Sequence, residues 1–138
     1  MQYTLSIIKP DAVQKNLTQK INDILQHSGM TIIEKKMLTL TKKEAEGFYK
    51  EHSSRAFFSS LIKFMISGNI IVQIMEGDNV IEKNRSIMGV TDPKLALPNT
   101  IRAMYGENIE KNAIHGSDSK ESAIREILFF FPNFNKGI

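Results

Sequence analysis

The 138-residue sequence contains no cysteine, and it has no long apolar run. The missing cysteine excludes disulfides, a thiolate nucleophile and a zinc–thiolate site together. The N-terminus lacks a signal-peptide layout, and no stretch approaches the roughly 20 apolar residues that a membrane span needs. We therefore expect a cytoplasmic protein that does not enter a membrane.

The common nucleotide-binding and metal-binding motifs are also missing. The sequence has no GxxxxGK[ST] loop and no glycine-rich strand-to-helix fingerprint, which excludes P-loop and dinucleotide-fold enzymes. His27 and His52 stand apart from His115, and no partner lies at metal-ligand spacing, so no protein metal ligand is predicted. The net charge of +3 comes from scattered lysines. A nucleic-acid partner is not expected, whereas a small anionic ligand is compatible with this charge.

What the sequence does contain is ordinary for a globular protein. Hydrophobic residues make up 41% and charged residues 24% of the chain. The length suits one compact domain with its own core, and no repeat or linker rich in Gly, Ser or Pro divides it. A single domain over residues 1–138 is predicted.

The apolar pattern predicts alternating strands and helices. Strands are predicted at 3–8, 30–40, 69–76 and 113–114, and helices at 11–28, 42–53, 58 to about 68, 79–86, 101–105 and from 117–119 onward. Pro10 ends the first strand, Gly29 stops the first helix, and Thr41 with Glu44 forms a capping box. This alternation is typical of an α/β or α+β fold.

Residues 89–100 give no sustained period and include Thr91, Asp92 and Pro93. Loops of this length are uncommon unless they are functional. We therefore interpret this loop as a candidate binding element.

His115 is the first candidate for chemistry. The following Gly116, Ser117 and Asp118 predict that it sits just before a helix N-terminus, a position that favours anions. Neutral imidazole is a nucleophile at physiological pH, provided that its second nitrogen is held, and Glu126 is the candidate to hold it. An ordinary polar turn residue is the alternative interpretation.

Three separated basic residues, Lys9, Arg85 and Arg102, suit phosphoryl transfer, whose transition state spreads charge over several oxygens. Taken singly, each of them is more often a solvated charge or part of a surface ion pair. Phe57 and Phe58 are core residues by default, although an exposed ring could stack on a base.

Residues 112–118, NAIHGSD, closely resemble the active-site signature of the nucleoside diphosphate kinase family. The rest of the chain agrees with that family in order and spacing over essentially all 138 residues. The agreeing segments include IKPDA at 8–12, MISG at 65–68, TDP at 91–93, TIR at 100–102 and FFFP at 129–132.

This resemblance implies a ferredoxin-like α/β sandwich with a four-stranded antiparallel sheet and helices packed on it. It also implies a ping-pong phosphotransferase that moves the terminal phosphate of ATP or another nucleoside triphosphate to a nucleoside diphosphate. Mg²⁺ would be carried mainly by the nucleotide phosphates, and the chain would assemble into a homo-oligomer, a tetramer or a hexamer.

The matching positions imply roles for individual residues. His115 would be the phosphorylated nucleophile, Glu126 and Ser117 would support it, and Lys9 and Tyr49 would lie beside the transferred group. The nucleotide phosphates would be contacted by His52, Arg85, Thr91 and Arg102. The ribose would be contacted by Lys9 and Asn112, and the base by Phe57, Leu61 and Ile109. Stacking on apolar side chains would explain broad base tolerance.

The sequence departs from the family pattern at Thr18, Ala56, Asn69 and Asn99, none of which is a catalytic position. Asn99 replaces a common glycine, and asparagine tolerates a positive φ better than most residues. These four positions bear on loop stability and subunit packing.

Two other classes of function remain open at this point. A regulatory module could keep the nucleotide pocket and act through a partner, and the loss of a catalytic residue would favour it. A purely structural domain would leave the long loop and the seven-residue match unexplained.

Overall fold

The structure, a computed structural model, describes residues 1–136. Four strands, β1 (Gln2–Ile8), β2 (Thr31–Leu38), β3 (Ile70–Gly77) and β4 (Ile114–Gly116), form one sheet in the order β2-β3-β1-β4. Every neighbouring pair is antiparallel. The expected four-stranded antiparallel sheet is therefore confirmed.

Seven helices and one short 3₁₀ turn accompany the sheet in residues 1–136. They are α1 (Pro10–Gln14), α2 (Thr18–His27), α3 (Lys42–Phe48), the 3₁₀ turn Lys50–His52, α4 (Phe58–Met65), α5 (Val80–Met88), α6 (Ile101–Tyr105) and α7 (Lys120–Phe130). Helix α5 packs against β1 and β4, α7 packs against β1, and α3 packs against α4. None of these helices has the length and apolar character needed to cross a membrane.

The core is centred on β1 and β3. Leu5, Ile7, Val72 and Ile74 are fully buried on these two strands. Burying a side chain of this size contributes about 1.5–3 kcal/mol. Because β1 is hydrogen-bonded on both edges, the residues at its C-terminal end are firmly positioned. Lys9 follows directly, and His115 lies opposite Ile7 in the register with β4.

The predicted helix over 11–28 is wrong in one respect, because two helices occupy this segment. Asn16 takes a left-handed φ of 59°, which separates α1 from α2. Periodicity alone missed the break because asparagine enters this conformation without the glycine that normally signals it. The predicted stop is confirmed, since α2 ends at His27 and Gly29 has a φ of +92°.

The predicted helix over 42–53 is also shorter than expected. Its capping box is present, with Glu44 N donating to Thr41 Oγ1 at 3.1 Å and Thr41 N donating to Glu44 Oε1 at 2.9 Å. Helix α3 ends at Phe48, and the 3₁₀ turn that carries His52 follows. This turn brings His52 and Tyr49 to the same end of the molecule.

The C-terminal helix begins later than 117–119. It starts at Lys120, and Ser119 Oγ caps it by accepting from Ser122 N at 3.1 Å. The predicted strand at 113–114 lies slightly further along, so that β4 includes His115. His115 is therefore a strand residue and does not directly precede a helix N-terminus.

Candidate active site

A cavity of about 920 Å³ brings together side chains from distant parts of the sequence. Eleven of the residues singled out from the sequence line it, namely Lys9, Tyr49, His52, Phe57, Leu61, Arg85, Thr91, Arg102, Ile109, Asn112 and His115. Ser117 and Glu126 are buried outside this lining and contact each other behind His115. Residues 89–100 contain no helix or strand, as predicted, and this loop contributes Thr91.

A series of three hydrogen bonds fixes the orientation of the His115 ring. Nε2 of His115 lies 2.8 Å from Glu126 Oε1, and Ser117 Oγ donates to the same oxygen at 2.9 Å. The Leu5 amide donates to Ser117 Oγ at 3.2 Å, which connects this series of hydrogen bonds to β1. With Glu126 ionised, Nε2 carries the proton, and Nδ1 is the ring nitrogen that keeps a free lone pair.

The second carboxylate oxygen of Glu126 faces a cation. Arg125 Nη2 lies 3.5 Å from Glu126 Oε2, and Arg125 Nε lies 3.5 Å from Glu51 Oε1. Arg125 also donates from Nη1 to the Phe48 carbonyl at 3.4 Å. These contacts anchor Glu126 to the segment that carries Tyr49 and His52.

Lys9 is almost fully buried at the end of β1, with 6% exposure. Its Nζ donates to Asn112 Oδ1 at 2.8 Å and to the Glu110 carbonyl at 3.4 Å. Burial, reinforced by the charge of Arg102, lowers the pKa of Lys9 to about 8, while Asp11 and Glu110 act in the opposite direction. Near neutral pH this side chain is a poorly solvated cation, and burial strengthens the electrostatic attraction between such a cation and an anion.

Arg102 supplies a second buried cation. Its Nη1 donates to the Gly89 carbonyl at 3.0 Å and its Nη2 donates to the Ile114 carbonyl at 2.7 Å. Nε has no partner among residues 1–136. Burial and the neighbouring Arg85 lower the pKa of Arg102 to about 10, so the guanidinium stays charged at neutral pH.

Tyr49 and His52 present polar atoms without partners. The Tyr49 hydroxyl and His52 Nδ1 are buried and make no hydrogen bond within residues 1–136. Burial and the charge of Glu126 raise the pKa of Tyr49, so its hydroxyl keeps its proton and can donate. Buried polar groups normally find partners, and such exceptions at a cavity wall suit a ligand.

The far end of the cavity is apolar and open. Phe57 is 46% exposed and Ile109 is 61% exposed, while Leu61 is buried. The Arg55 guanidinium lies 5.8 Å from the centroid of the Phe57 ring. Exposed apolar side chains in a cavity that also holds buried cations suit a planar ring with a charged tail.

Comparisons with known proteins agree with this geometry. The sequence model of the nucleoside diphosphate kinase family matches residues 2–135. The chain is 52% identical over 134 residues to a protein named nucleoside diphosphate kinase from Ehrlichia chaffeensis, covering 97% of this chain and 94% of that one.

Solved structures agree as well. The Aquifex aeolicus nucleoside diphosphate kinase superposes with a TM-score of 0.91 at 44% identity, covering 94% of each chain. A Halobacterium salinarum nucleoside diphosphate kinase in complex with CDP superposes with a TM-score of 0.92 at 34% identity, covering 96% of this chain and 88% of that one.

The chain belongs to the nucleoside diphosphate kinase family. It transfers the terminal phosphate of a nucleoside triphosphate to a nucleoside diphosphate. Its fold is the one that the sequence resemblance implied. The nucleotide-sized cavity is consistent with that reaction.

Several residues of this kinase site were not assigned from the sequence. Arg55, Asp118, Met88, Asp92, Lys94, Asn108, Glu110 and Gly116 also line the cavity. The sequence offered a reason to include two of them. Arg55 precedes Phe57 by two residues, and Asp118 ends the seven-residue signature. Asp118 accepts a hydrogen bond from Ser122 Oγ, which lowers the pKa of Asp118.

Two acidic residues that line the cavity of this kinase already accept hydrogen bonds from protein groups. Within residues 1–136 no three histidine or acidic side chains converge as a metal site requires. Glu110 Oε2 accepts from Ser60 Oγ at 2.8 Å, and Asp92 Oδ1 accepts from Lys94 N at 3.0 Å. The buried charged side chains that line the cavity, Lys9 and Arg102, are cationic, a setting suited to anionic phosphates.

Of the four departures from the family pattern, Asn99 has a visible effect. It takes a φ of +71°, the conformation that glycine would adopt most easily. Thr100 follows and caps α6 by accepting from Ala103 N at 3.3 Å. The turn therefore forms without glycine, and it positions the helix that carries Arg102.

Proposed function

We propose that this kinase works by a ping-pong mechanism through a phosphohistidine at His115. The observation that carries the proposal is the 2.8 Å contact between His115 Nε2 and Glu126 Oε1. It fixes the proton on Nε2 and leaves Nδ1 as the nucleophile in a histidine that lines the cavity.

In the first half-reaction, Nδ1 attacks the terminal phosphorus of the nucleoside triphosphate. The N–P bond forms as the bridging P–O bond breaks, and the electron pair of that bond leaves with the nucleoside diphosphate. The imidazole becomes more positive as it attacks, and the Glu126 carboxylate stabilises this charge through Nε2–H. In the second half-reaction, a different nucleoside diphosphate takes the phosphoryl group by the reverse displacement.

The cations of the cavity receive the phosphates. Lys9 and Tyr49 would lie beside the transferred phosphoryl group, where the buried ammonium and the free hydroxyl can bind its equatorial oxygens. The other phosphate contacts would come from His52, Arg85, Thr91 and Arg102. Lys9 and Arg102 are already held by hydrogen bonds to protein oxygens, so these two cations need little reorganisation during the reaction.

Ribose and base would be held with less chemical discrimination. Asn112 Oδ1 accepts from Lys9 Nζ at 2.8 Å, and in this proposal both side chains would contact the ribose hydroxyls. Phe57, Leu61 and Ile109 would enclose the base by apolar contact. Every base has a π face, so this enclosure supports broad nucleotide tolerance.

Mg²⁺ belongs to the proposal as a partner of the nucleotide. Bound to the phosphates, it would neutralise part of their charge and orient them. We assign it no protein ligand.

We also propose that residues 1–138 act as one domain and that copies of the chain associate as a tetramer or a hexamer. Leu95 and Leu97 are each 75% exposed on the long loop, and burial of such side chains favours association. Light scattering coupled to size-exclusion chromatography measures the assembly directly. A cytoplasmic location stays a prediction.

Incubation with ATP labelled on its terminal phosphate, in the presence of Mg²⁺, tests the proposed mechanism. We expect one acid-labile, base-stable phosphate per chain, which a chase with GDP removes, and no label on His115→Ala. His27→Ala is a matched control, because His27 lies outside the cavity on α2. A folded protein that binds nucleotide but takes no label would contradict the proposal and favour a regulatory module.

A further inference from the structure

A buried acid that the proposed reaction does not use lies behind the cavity. Asp11 stands in the first turn of α1 with 7% exposure. Its Oδ2 accepts from Ala113 N at 3.1 Å, and its Oδ1 is buried without a partner among residues 1–136. A buried carboxylate with so few hydrogen bonds is costly, so it calls for a role beyond packing.

The hydrogen-bond partner of Asp11 is a strained residue. Ala113 has a φ of +76°, a left-handed conformation that is unfavourable for a residue with a Cβ. Its carbonyl accepts from Lys9 N at 2.9 Å while its amide donates to Asp11. Residues 9 and 11 thus hold both sides of Ala113, two residues before His115. Such strain persists only where the surroundings enforce it.

The charge of Asp11 also acts on Lys9, although the two side chains form no direct ion pair within residues 1–136. The charged groups near Lys9 come from three other elements: Asp11 from α1, Arg102 from α6, and Glu110 from the loop before β4. Arg102 opposes the charge on Lys9, and the two acids favour it. Burial raises the pKa of Asp11, and Lys9 acts against that rise, so the two charges support each other.

Other lysines on a second side of Asp11 are weaker candidates for its charged partner. A smaller cavity of about 330 Å³ is lined by Asp11 together with Lys15, Lys63, Glu107, Glu110 and Lys111. Lys15 is already paired with Glu107. Among the cations, Lys9 is the one whose interaction with Asp11 alters the titration of that carboxyl most clearly.

We propose that Asp11 is a positioning residue for phosphoryl transfer: its carboxylate accepts a hydrogen bond from the amide of the strained Ala113, two residues before His115, and its negative charge lies near Lys9, whose amide bonds the other side of Ala113. The inference rests on the proposed role of Lys9 at the transferred phosphoryl group. The hydrogen bond between Asp11 and the Ala113 amide, called the clamp below, sets the position of His115. The negative charge of Asp11 favours the protonated form of Lys9.

Asp11→Asn separates the two effects, because the amide oxygen can still accept from Ala113 while the charge is lost. We expect the alkaline limb of the kcat/KM profile to move to lower pH. At about pH 9 the variant would lose about tenfold in kcat/KM relative to the unaltered protein, with little loss at roughly pH 6.5. Glu107→Gln, which removes a neighbouring carboxylate paired with Lys15, serves as the matched control and should leave the profile in place.

A direct titration keeps this test independent of turnover. The Cε signal of Lys9 in ¹³C-lysine-labelled His115→Ala protein, assigned by comparison with Lys9→Arg, should titrate at lower pH once Asp11→Asn is added. An unchanged Lys9 titration together with an unchanged pH profile would overturn the proposal. If the Lys9 titration shifts while His115 takes no phosphate, the failure belongs to the proposed reaction and not to Asp11.

Asp11→Ala tests the clamp itself. It removes both the acceptor and the charge, so kcat should fall at all pH values, whereas Asp11→Asn affects mainly the alkaline side. Equal pH profiles for the two variants would contradict a separate positioning role for the Ala113 contact. Circular dichroism and thermal unfolding establish that each variant is folded before its kinetics are compared.

Discussion

Glu126 Oε1 lies 2.8 Å from His115 Nε2, and the same oxygen accepts from Ser117 Oγ. The acid therefore orients the ring while the hydroxyl orients the acid. An amide in place of the carboxylate would remove the negative charge that stabilises the attacking imidazole. Its NH₂ group would also face Arg125 at the position of Oε2, where an acceptor now lies.

Glu126→Gln is accordingly expected to lower the rate of enzyme phosphorylation by about a hundredfold. Rapid-quench measurement of the first half-reaction, at saturating nucleoside triphosphate, isolates this step. Glu121→Gln is the matched control, because Glu121 is exposed in the first turn of the same helix. Equal phosphorylation rates in Glu126→Gln and the unaltered protein would contradict the role of the carboxylate.

The pH profile should show the titration of Lys9. Its pKa is lowered to about 8 by burial, so kcat/KM for nucleotide should fall as the pH rises through about 8. Lys9→Arg should move this limb to higher pH, because guanidinium stays protonated, although the lost geometry lowers the plateau. A limb that is unaffected by this substitution would exclude Lys9 as its source.

The same pKa has a consequence for stability with a definite sign. The folded value lies below the ordinary lysine value of 10.5, so the buried ammonium destabilises the fold below about pH 8. That penalty is relieved as the pH rises from about 8 towards 10.5. The difference in unfolding free energy between the unaltered protein and Lys9→Met, from urea titrations, should change across this window and stay constant below it.

Tyr49→Phe should separate activity from stability. The buried hydroxyl has no partner among residues 1–136, so its removal should raise the free energy of unfolding by about 1 kcal/mol. Loss of the donor should lower kcat by about tenfold. Tyr105→Phe, outside the cavity lining, is the control for both measurements. A Tyr49→Phe protein that is less stable and fully active would contradict both expectations.

Gly116 leaves no room for a side chain beside His115. An added Cβ would lie 2.3 Å from Asn84 Nδ2 and 2.6 Å from Met88 Sδ, and both of these residues are buried on α5. Gly116→Ala should therefore destabilise the fold by about 1–3 kcal/mol and lower kcat through displacement of β4. Gly68→Ala, whose added Cβ comes no closer than 3.9 Å to Pro10, should be nearly neutral.

Substitutions at Asn99 test whether the turn in the long loop requires a residue that tolerates a positive φ. Its φ of +71° suits glycine better than alanine. Asn99→Gly should keep or slightly raise the thermal midpoint, while Asn99→Ala should lose about 1 kcal/mol of stability. The thermal midpoints of the Asn99→Gly and Asn99→Ala proteins test this expectation. An alanine variant as stable as the glycine variant would show that the turn does not depend on a left-handed residue.

The sequence predicted the sheet and most helices because their apolar patterns and stop signals are local. Pro10, Gly29 and the Thr41 capping box mark boundaries that the structure keeps. The errors lie where a left-handed residue other than glycine intervenes, as at Asn16, and where α3 passes into a 3₁₀ turn before His52. Tertiary contacts decide such positions, and periodicity does not register them.

The site was recognisable from the sequence mainly through the resemblance of residues 112–118 to a known signature. No local rule shows that Lys9, Arg85 and Arg102 meet in one cavity, because their convergence depends on the topology of the sheet. The helix expected directly after His115 begins only at Lys120, so buried cations rather than a helix N-terminus provide the electrostatic attraction beside His115. Asp11 was missed as a site residue because its contact with Ala113 spans 102 positions.

The identity of the phosphorylated nitrogen is the most direct test. Nitrogen-15 NMR of histidine-labelled protein, recorded after reaction with ATP and Mg²⁺ under denaturing alkaline conditions, distinguishes the two ring positions. We expect one phosphate on Nδ1 of His115, since Nε2 is engaged by Glu126. A phosphate on Nε2, on His27 or His52, or on no histidine at all would contradict the mechanism proposed for this kinase.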